Sequence, residues 1–228
     1  MNDNPIIVRA CVFDAYGTLF DFASAAAACS EELGERAGEL TRLWRDKQLQ
    51  YTWLRGLQGK HTDFWTVTGE ALDFSLETLG FQGRVLRERL MALYRHLACF
   101  EEVPDVLSDL RAAGFKTAIL SNGSMPMLES AVNAAGLADL LDFIWSVDEV
   151  GVFKPHPSVY QLAVEGLALE PDKISFQSSN AWDAHAASAF GMRVVWCNRY
   201  SQRQERLPGE PDREITNLRE LQPLLTLG

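Results

Sequence analysis

The stretch CVFDAYGTLFD, residues 11–21, determines how the rest of the chain is interpreted. It begins as an apolar run and changes at Asp14 into a turn that contains Gly17 and Thr18. With the residues before it, the run reads IIVRACVFD over positions 6–14, which is short and rich in β-branched side chains. This pattern predicts one buried strand that delivers Asp14 to its carboxyl end.

Beyond Val103 the sequence alternates between helix-like and strand-like segments. The strand-like runs are FKTAILSN, DFIWSVD, KISFQSS and RVVWCN, and glycine or proline punctuates the helix-like segments between them. Helices between buried strands imply a parallel sheet that is covered on both faces. The tail from residue 201 is predicted to form a surface loop, followed by a last short strand and a helix.

Between the first strand and this alternating part, the segment from Phe22 to Ala98 is helix-like throughout. Leucine and tryptophan recur there at spacings near three and four, as in ELTRLWRDKQLQYTWLRGLQ. The first strand resembles the later ones in character but is separated from them by this segment. The simplest arrangement is a helical cap domain, residues 20–99, inserted into an α/β core domain formed by residues 1–19 and 100–228.

Composition restricts the partners and the compartment. The chain has 228 residues, is 47% hydrophobic and carries a formal net charge of -10, so it can bury a sizeable core but repels nucleic acid and anionic membranes. It has no apolar stretch long enough to cross a bilayer, and its first residues do not resemble a secretory signal. The four cysteines are scattered, which favours reduced thiols and a cytoplasmic location.

A polar segment follows the apolar residues at each of these predicted strand ends: DAYGT, SNGS, KPHPSVY and SSNAWD. In open α/β sheets the reacting groups collect at the carboxyl ends of the strands. A lone aspartate at such a place would only cap the next segment. Asp14 comes with Thr18 and three further polar strand ends, so we predict a nucleophilic carboxylate that forms a covalent intermediate.

Ser121 and Asn122 follow the second strand, where they can cap a helix, hold a substrate anion, or do both. Lys154 lies between prolines in GVFKPHP. A lysine in a loop is usually solvated, but one fixed beside Asp14 would keep that carboxylate ionised. The hydroxyl of Tyr160 can reach the same pocket, although a tyrosine inside a helix is often only a core residue.

In SSNAWD, Ser178 and Asn180 are neutral and Asp183 is the only acid. Asp14 and Asp183 supply few carboxylate oxygens for a divalent cation, so the sequence leaves a metal site open but provides few ligands for it. Arg45 follows Trp44 among apolar neighbours in the long cap helix. It is either an ordinary surface arginine or a fixed fork that projects into the cleft and binds a carboxylate or a leaving anion.

The motifs FDAYGTLFD, WRDKQLQYTWLR, LSNGS, KPHPSVY and SSNAWDAHAASAFG, in this order and spacing, resemble the L-2-haloacid dehalogenases of the haloacid dehalogenase superfamily. The similarity covers nearly the whole chain. It implies a Rossmann-like core closed by a helical cap, and a small 2-halocarboxylate as the substrate. By position, Asp14 would attack C2 of an L-2-haloacid, halide would leave, and water would hydrolyse the ester to a D-2-hydroxy acid without metal or organic cofactor.

The resemblance also implies a role for each matching residue. Arg45 and Asn122 would receive the halide, with Phe64 as an apolar wall. Ser121 and the backbone amides near Ala15 and Tyr16 would bind the substrate carboxylate. Lys154 would keep Asp14 charged, and Asp183 would orient Lys154 or activate water. The residues expected to support this site are Thr18, Tyr160, Ser178 and Asn180. Relatives also suggest a homodimer, built on an apolar surface around Trp53 and Leu54 unless these residues are core.

Tyr16 stands where many phosphate-handling relatives have a second acid. A phosphatase needs an acid to protonate its alkoxide leaving group, whereas halide is a weak base and leaves unaided. The alternatives are a magnesium-dependent phosphatase of the same superfamily and a catalytically idle binding protein. His185 is expected to be a helix-surface histidine, with water activation as a second possibility.

Overall fold

The computed structural model describes residues 4–228. Within them the strands are, in chain order, β1 (Ile6–Val8), β2 (Ala10–Phe13), β3 (Lys116–Ser121), β4 (Phe143–Ser146), β5 (Ile174–Ser178), β6 (Arg193–Cys197), β7 (Arg213–Ile215) and β8 (Leu225–Leu227). The central sheet has the order β4-β3-β2-β5-β6-β7, and every pair in it is parallel. This is the parallel α/β sheet that the alternating sequence predicted.

The α-helices of the described residues are α1 (Ser24–Ala27), α2 (Ser30–Leu33), α3 (Ala37–Gln58), α4 (Phe64–Thr78), α5 (Arg84–Tyr94), α6 (Val103–Ala112), α7 (Met125–Ala134), α8 (Pro157–Leu167) and α9 (Ala181–Phe190). Every residue of β2 and β5 is buried. Successive side chains of a strand point to opposite faces, so helices cover both faces of the sheet at these strands.

The predicted single strand over residues 6–14 is wrong, because the structure divides it into β1 and β2. Ile6 and Val8 are buried while Ile7 is 52% exposed, which is the alternation of a strand that is buried on one face only. β1 pairs with β8 in a separate parallel pair. The amide of Arg9 donates to the carbonyl of Lys173, and the carbonyl of Arg9 accepts from the amide of Lys116. β2 then enters the central sheet.

The end of the chain also differs from the prediction. Residues 201–207 form an exposed segment without regular structure, and β7 follows it at the edge of the sheet. The last segment is not a helix but two 3-10 turns and then β8. Pro223 lies inside the second turn, where it favours a short turn over a continuous helix. None of the helices in residues 4–228 combines the length and apolar character needed to span a membrane.

In the chain, helices α1 to α5 lie between β2 and the later strands of the sheet, in agreement with the helical periodicity of that segment. Helix α3 packs along α4, and α4 packs on α5. Asp63 caps α4, since its Oδ1 accepts a hydrogen bond of 2.9 Å from the amide of Thr66. Gly59 ends α3 with a φ of 62°, a left-handed conformation that glycine adopts without strain.

The two connections between the sheet and these helices run side by side. Phe20 and Cys99 form an antiparallel bridge. The amide of Asp21 donates to the carbonyl of Ala98 at 2.8 Å, and the amide of Phe100 donates to that of Leu19 at 3.0 Å. The chain therefore leaves and re-enters the sheet layer through one short ribbon.

Arg199 follows β6 and contacts residues on both sides of this ribbon. Its Nη2 donates to the carbonyl of Thr18 at 2.8 Å, and its Nη1 lies 2.6 Å from Oε1 of Glu102. The guanidinium also lies 3.9 Å from the ring centroid of Phe100. Both charged side chains are almost fully buried, with exposures of 7% and 4%, so each depends on the other for compensation of its charge.

We expect Glu102→Gln to lower the free energy of unfolding by about 3 kcal/mol, because it leaves the Arg199 charge buried without a counter-charge. Glu101→Gln is the matched control, since Glu101 is 93% exposed in its ion pair with Arg219. That control should change stability by less than about 0.5 kcal/mol. Urea unfolding of both variants measures the difference, and equal losses would contradict the role given to the buried pair.

Candidate active site

Several loops meet at the edge of the sheet formed by the carboxyl ends of its strands. Asp14 directly follows β2, Ser121 ends β3, and Ser178 ends β5. Because β3, β2 and β5 are parallel neighbours, their ends bring these residues together. Lys154 enters from the segment between β4 and α8, and Arg45 comes from α3.

Asp14 lies at the centre of this site and is only 6% exposed. Its Oδ1 accepts a hydrogen bond of 3.1 Å from Lys154 Nζ. Its Oδ2 accepts one of 2.8 Å from Asn180 Nδ2, and the hydroxyls of Thr18 and Ser178 lie 3.4 Å from the same oxygen. Donors on both oxygens hold this carboxylate in one orientation, which a nucleophile requires.

Lys154 is buried between two carboxylates. Its Nζ lies 3.1 Å from Asp14 Oδ1 and 2.8 Å from Asp183 Oδ2, and the side chain is 1% exposed. Burial by itself would lower the pKa of Lys154, but the charges of Asp14 and Asp183 outweigh it and raise that pKa above 10.5. The ammonium therefore stays charged throughout the neutral pH range.

Asp183 has no solvent exposure and both of its oxygens are occupied. Lys154 donates to Oδ2, and the hydroxyl of Tyr160 donates to Oδ1 at 2.7 Å. Burial raises the pKa of this carboxyl. The charge of Lys154 lowers the pKa and so opposes part of this effect, whereas the charge of Asp14 raises it further. Burial, followed by the charge of Asp183, likewise holds the pKa of Tyr160 well above 10, so this phenol remains a donor.

The turn after β2 is held against the end of β5. Thr18 Oγ1 accepts a hydrogen bond of 2.8 Å from the amide of Ser179. Gly17 has a φ of 90°, a conformation that side chains rarely adopt. Within residues 4–228, the backbone amides of Ala15 and Tyr16 donate to no protein acceptor. These two N–H groups are therefore available to an anion in the cleft.

Asn122 and Ser121 line the neighbouring strand end. The Oδ1 of Asn122 accepts from the backbone amide of Lys154 at 2.9 Å, which leaves its Nδ2 without a protein acceptor in the described part of the chain. The Oγ of Ser121 accepts from the amide of Gly123 at 3.1 Å. The hydroxyl proton of Ser121 is therefore free to be donated elsewhere.

Arg45 reaches across from α3 and joins the helical segment to the sheet. Its Nη1 donates to Gln48 Oε1 at 2.7 Å, while its Nη2 makes longer contacts of 3.3 Å with Asn180 Oδ1 and 3.4 Å with the carbonyl of Tyr16. Its guanidinium lies 5.3 Å from the ring centroid of Phe22. Arg45 is thus not an ordinary surface arginine.

Tyr16 occupies the position at which many phosphate-handling relatives have a second acid. Its ring stacks on Tyr94 at 5.5 Å and lies 5.9 Å from the ring of Phe64. A Cβ at Gly123 would lie 2.8 Å from this ring, so glycine provides the space for it. Burial holds the pKa of the Tyr16 phenol well above 10. The group beside Asp14 therefore neither carries charge nor gives up a proton readily.

The sequence-predicted site residues thus lie around one cleft, whereas the expectation for His185 is wrong. His185 is 1% exposed, and its Nδ1 lies 2.6 Å from the carbonyl of Gly209. It is not a surface residue, because Gly209 and Glu210 contact α9 at His185 and Ser188. Within residues 4–228, no hydrogen bond joins its ring to Asp14, Lys154 or Asp183.

Sequence reasoning missed three residues that support the site: Gln48, Tyr94 and Arg199. Gln48 lies three residues after Arg45 on α3, a spacing that places the two side chains on one helix face. Arg199 follows the carboxyl end of β6, the kind of position already used to select the other candidates. Tyr94 ends α5, and no sequence pattern indicates its contact with Gln48.

The donor set does not suit a divalent cation. Across residues 4–228, no three His, Cys, Asp or Glu side chains cluster closely enough to hold a metal ion. The ammonium group of Lys154 occupies the position between Asp14 and Asp183. A cation between these carboxylates would have to displace a buried charge of the same sign.

Comparison with known proteins first gives the class. A family model described as a hydrolase, haloacid dehalogenase-like hydrolase, matches residues 8–191. The match includes β2 with Asp14 and extends through α9, and so spans the loops that carry the site. The sheet, the helical segment between its strands and the strand-end aspartate together define a haloacid dehalogenase-like hydrolase.

Individual relatives narrow this class. The chain is 45% identical to (S)-2-haloacid dehalogenase 1 of Pseudomonas sp. strain CBS-3, covering 96% of each chain, and 42% identical to (S)-2-haloacid dehalogenase 4A of Burkholderia cepacia, covering 96% of this chain and 95% of the relative. The structure of L-2-haloacid dehalogenase from Xanthobacter autotrophicus with chloropropionic acid covalently bound matches with a TM-score of 0.89, 38% identity and coverage of 96% and 98%. This chain therefore belongs to the L-2-haloacid dehalogenase family.

We expect Lys154→Met to lower the free energy of unfolding at neutral pH by about 3 kcal/mol or more, because two buried carboxylates then lack their cation. Burial already raises the pKa of Asp183, and loss of the opposing Lys154 charge raises it further, so the folded state takes up a proton and the loss of stability shrinks as the pH falls. Lys116→Met, at a 60% exposed lysine, is the control. Urea unfolding at neutral and mildly acidic pH tests this, and a pH-independent loss would contradict it.

Proposed function

We propose that the protein hydrolyses short L-2-haloacids to D-2-hydroxy acids through an ester formed on Asp14. The observation that carries this proposal is the environment of Asp14: a buried carboxylate beside the Lys154 ammonium, with the neutral ring of Tyr16 nearby. A leaving halide needs no proton, so no acid is required there. The Xanthobacter relative, which has chloropropionic acid covalently bound, supports the ester intermediate.

In the first step, a carboxylate oxygen of Asp14 attacks C2 from the side opposite the halogen. A C–O bond forms, the carbon–halogen bond breaks, and halide leaves with the electron pair while the configuration at C2 inverts. Within residues 4–228, Oδ2 has three neighbouring donors, whereas Oδ1 has Lys154 alone. Oδ1 is therefore the less encumbered oxygen for the attack. Positioning of the two reacting atoms supplies much of the rate.

Two side-chain donors are arranged to receive the halide. A hydroxyl group and backbone amides are arranged to hold the substrate carboxylate. Arg45 offers a guanidinium that is only loosely held at Nη2, and Asn122 offers its free Nδ2, with Phe64 as an apolar wall. The Ser121 hydroxyl and the open amides of the turn after Asp14 bind the carboxylate. Fixed donors stabilise the departing charge because they need no reorganisation.

In the second step, water adds to the carbonyl carbon of the Asp14 ester, and the alcohol oxygen leaves with a proton as the 2-hydroxy acid. The oxygen of the water stays in the Asp14 carboxylate, and the hydroxyl of the product carries the oxygen that came from Asp14. Asp183 positions Lys154 and is the remaining carboxylate in this network, so it takes up the proton that water loses, directly or through Lys154. Thr18, Ser178, Asn180 and Tyr160 hold the two carboxylates in place.

We expect the purified protein to release chloride from L-2-chloropropionate but not from the D enantiomer, in the presence of excess chelator. Asp14→Asn should lower this activity by more than about a thousandfold, since it removes the nucleophile. Glu70→Gln, at an ion pair on the helical segment, is the control. After one turnover in heavy-oxygen water, peptide mass analysis should find the label in Asp14.

The alternatives give different outcomes in the same experiment. Turnover of a phosphate ester that depends on magnesium and is lost in Asp14→Asn would replace the proposal with a phosphatase. Silence toward haloacids and phosphate esters, with an intact circular dichroism spectrum, would replace it with a binding protein. Label in the product alone would exclude the ester.

Residues 20–99 act as a cap over a core of residues 1–19 and 100–228 in this proposal. Arg45, from the segment that would form the cap, contacts Asn180 and the Tyr16 carbonyl of the core. The paired connections at Phe20 and Cys99 support boundaries at these positions. Water must be excluded while Asp14 attacks and admitted afterwards, and a cap serves both needs.

The protein works as a homodimer in the cytoplasm. Trp53, Leu54 and Leu57 of α3 are 37%, 46% and 86% exposed. Trp53 and Leu57 border an apolar groove of about 860 Å³ whose lining also includes Trp182 and Leu207. A second copy would cover this apolar surface. Four free thiols, three of them buried, support a reducing compartment.

We expect sedimentation of the wild type to show a dimer and that of Leu57→Asp to show a monomer, because the carboxylate would be desolvated in the interface. Val85→Asp is the control, since Val85 is 79% exposed on α5 and distant in sequence from the groove residues. A wild type that sediments as a monomer at both low and high concentration would refute the dimer.

A further inference from the structure

Gln48 lies on α3 three residues after Arg45 and is 1% exposed. Its Oε1 accepts a hydrogen bond of 2.7 Å from Arg45 Nη1, the shortest that this guanidinium makes within residues 4–228. The Nη2 contacts of Arg45 are longer, and its Nε has no partner in residues 4–228. The orientation of Arg45 therefore depends mainly on Gln48.

The amide of Gln48 is itself fixed in one orientation. Thr68 donates its hydroxyl proton to the carbonyl of Phe64 at 2.6 Å, so its oxygen can act only as an acceptor toward Gln48. Gln48 Nε2 donates to this oxygen at 2.7 Å and to the hydroxyl of Tyr94 at 3.1 Å. A flipped amide would direct its carbonyl at an acceptor, so Oε1 must face Arg45.

The neutrality of Gln48 has an electrostatic consequence. A carboxylate at the same distance would orient the guanidinium equally well but would cancel its charge inside a buried site. The glutamine amide supplies the acceptor without the charge. The positive field of Arg45 therefore remains directed at the cleft, where an anion must be stabilised.

We propose that Gln48 is a positioning residue that orients Arg45 toward the halide while leaving its charge uncompensated. The inference rests on the proposed function, in which Arg45 receives the departing halide. Thr68 and Tyr94 support Gln48 in this role because they determine which end of its amide faces Arg45.

Gln48→Glu tests this directly, with Gln50→Glu as the matched control. Gln50 is exposed on the same helix, so the control adds the same charge without an Arg45 contact. Chloride NMR line broadening and inhibition of turnover by chloride should both show binding weakened by about tenfold or more in Gln48→Glu, the change expected when a group bound to a charge is altered. Gln50→Glu should match the wild type.

Turnover provides a second readout that misfolding would not produce. Chloride is a poorer leaving group than bromide and depends more on Arg45, so the ratio of bromo- to chloropropionate turnover should rise in Gln48→Glu. A protonated carboxyl donates and accepts as the amide does. The activity of the variant relative to wild type should therefore recover as the pH falls through the pKa of the introduced carboxyl.

Gln48→Met, which keeps the size but removes the acceptor, guards against a folding defect. It should weaken chloride binding less than Gln48→Glu and show no recovery at low pH. Equal chloride affinity in Gln48→Glu, Gln50→Glu and wild type would overturn the inference. Chloride binding is measured without turnover, so a wild type that binds chloride but releases none from haloacids would contradict the proposed function and not the role of Gln48.

Discussion

The ammonium group of Lys154 between two buried carboxylates is the interaction on which the site depends. Asp14 and Asp183 could not both remain charged so far from water without a cation between them. The charges of Asp14 and Asp183 in turn raise the pKa of Lys154 although the side chain is buried. Its backbone amide is bound to Asn122, so the same residue links the electrostatics of the site to the next strand end. Each remaining polar group of the cleft is arranged around this charged triad.

Much of the fold could be predicted from the sequence, because strand and helix periods are local properties. The parallel sheet and the helices between β2 and α6 follow from such periods. The division between β1 and β2 could not be predicted, since it depends on β8 at the far end of the chain. Likewise, the burial of His185 depends on contact with Gly209, a tertiary contact that no helical pattern indicates.

Most of the cleft could also be predicted, because a parallel sheet brings its strand ends to one edge. Asp14, Ser121 and Ser178 needed only that rule and the polar residues at each strand end. Arg45 needed more, since helix periodicity leaves the choice between solvent and cleft open. Gln48 is harder still: its role lies in a hydrogen-bond chain through Thr68 and Tyr94, residues that sequence alone identifies only as buried helix positions.

The ribbon at Phe20 and Cys99 has a consequence for how such a protein can change over evolution. The inserted helices begin and end at hydrogen-bonded neighbours, and Arg199 holds both connections from the sheet side. An insertion whose two ends already lie together can be lengthened, shortened or exchanged with little effect on the strands beneath it. The strand-end carboxylate could thus be inherited unchanged while the helices inserted above it are replaced.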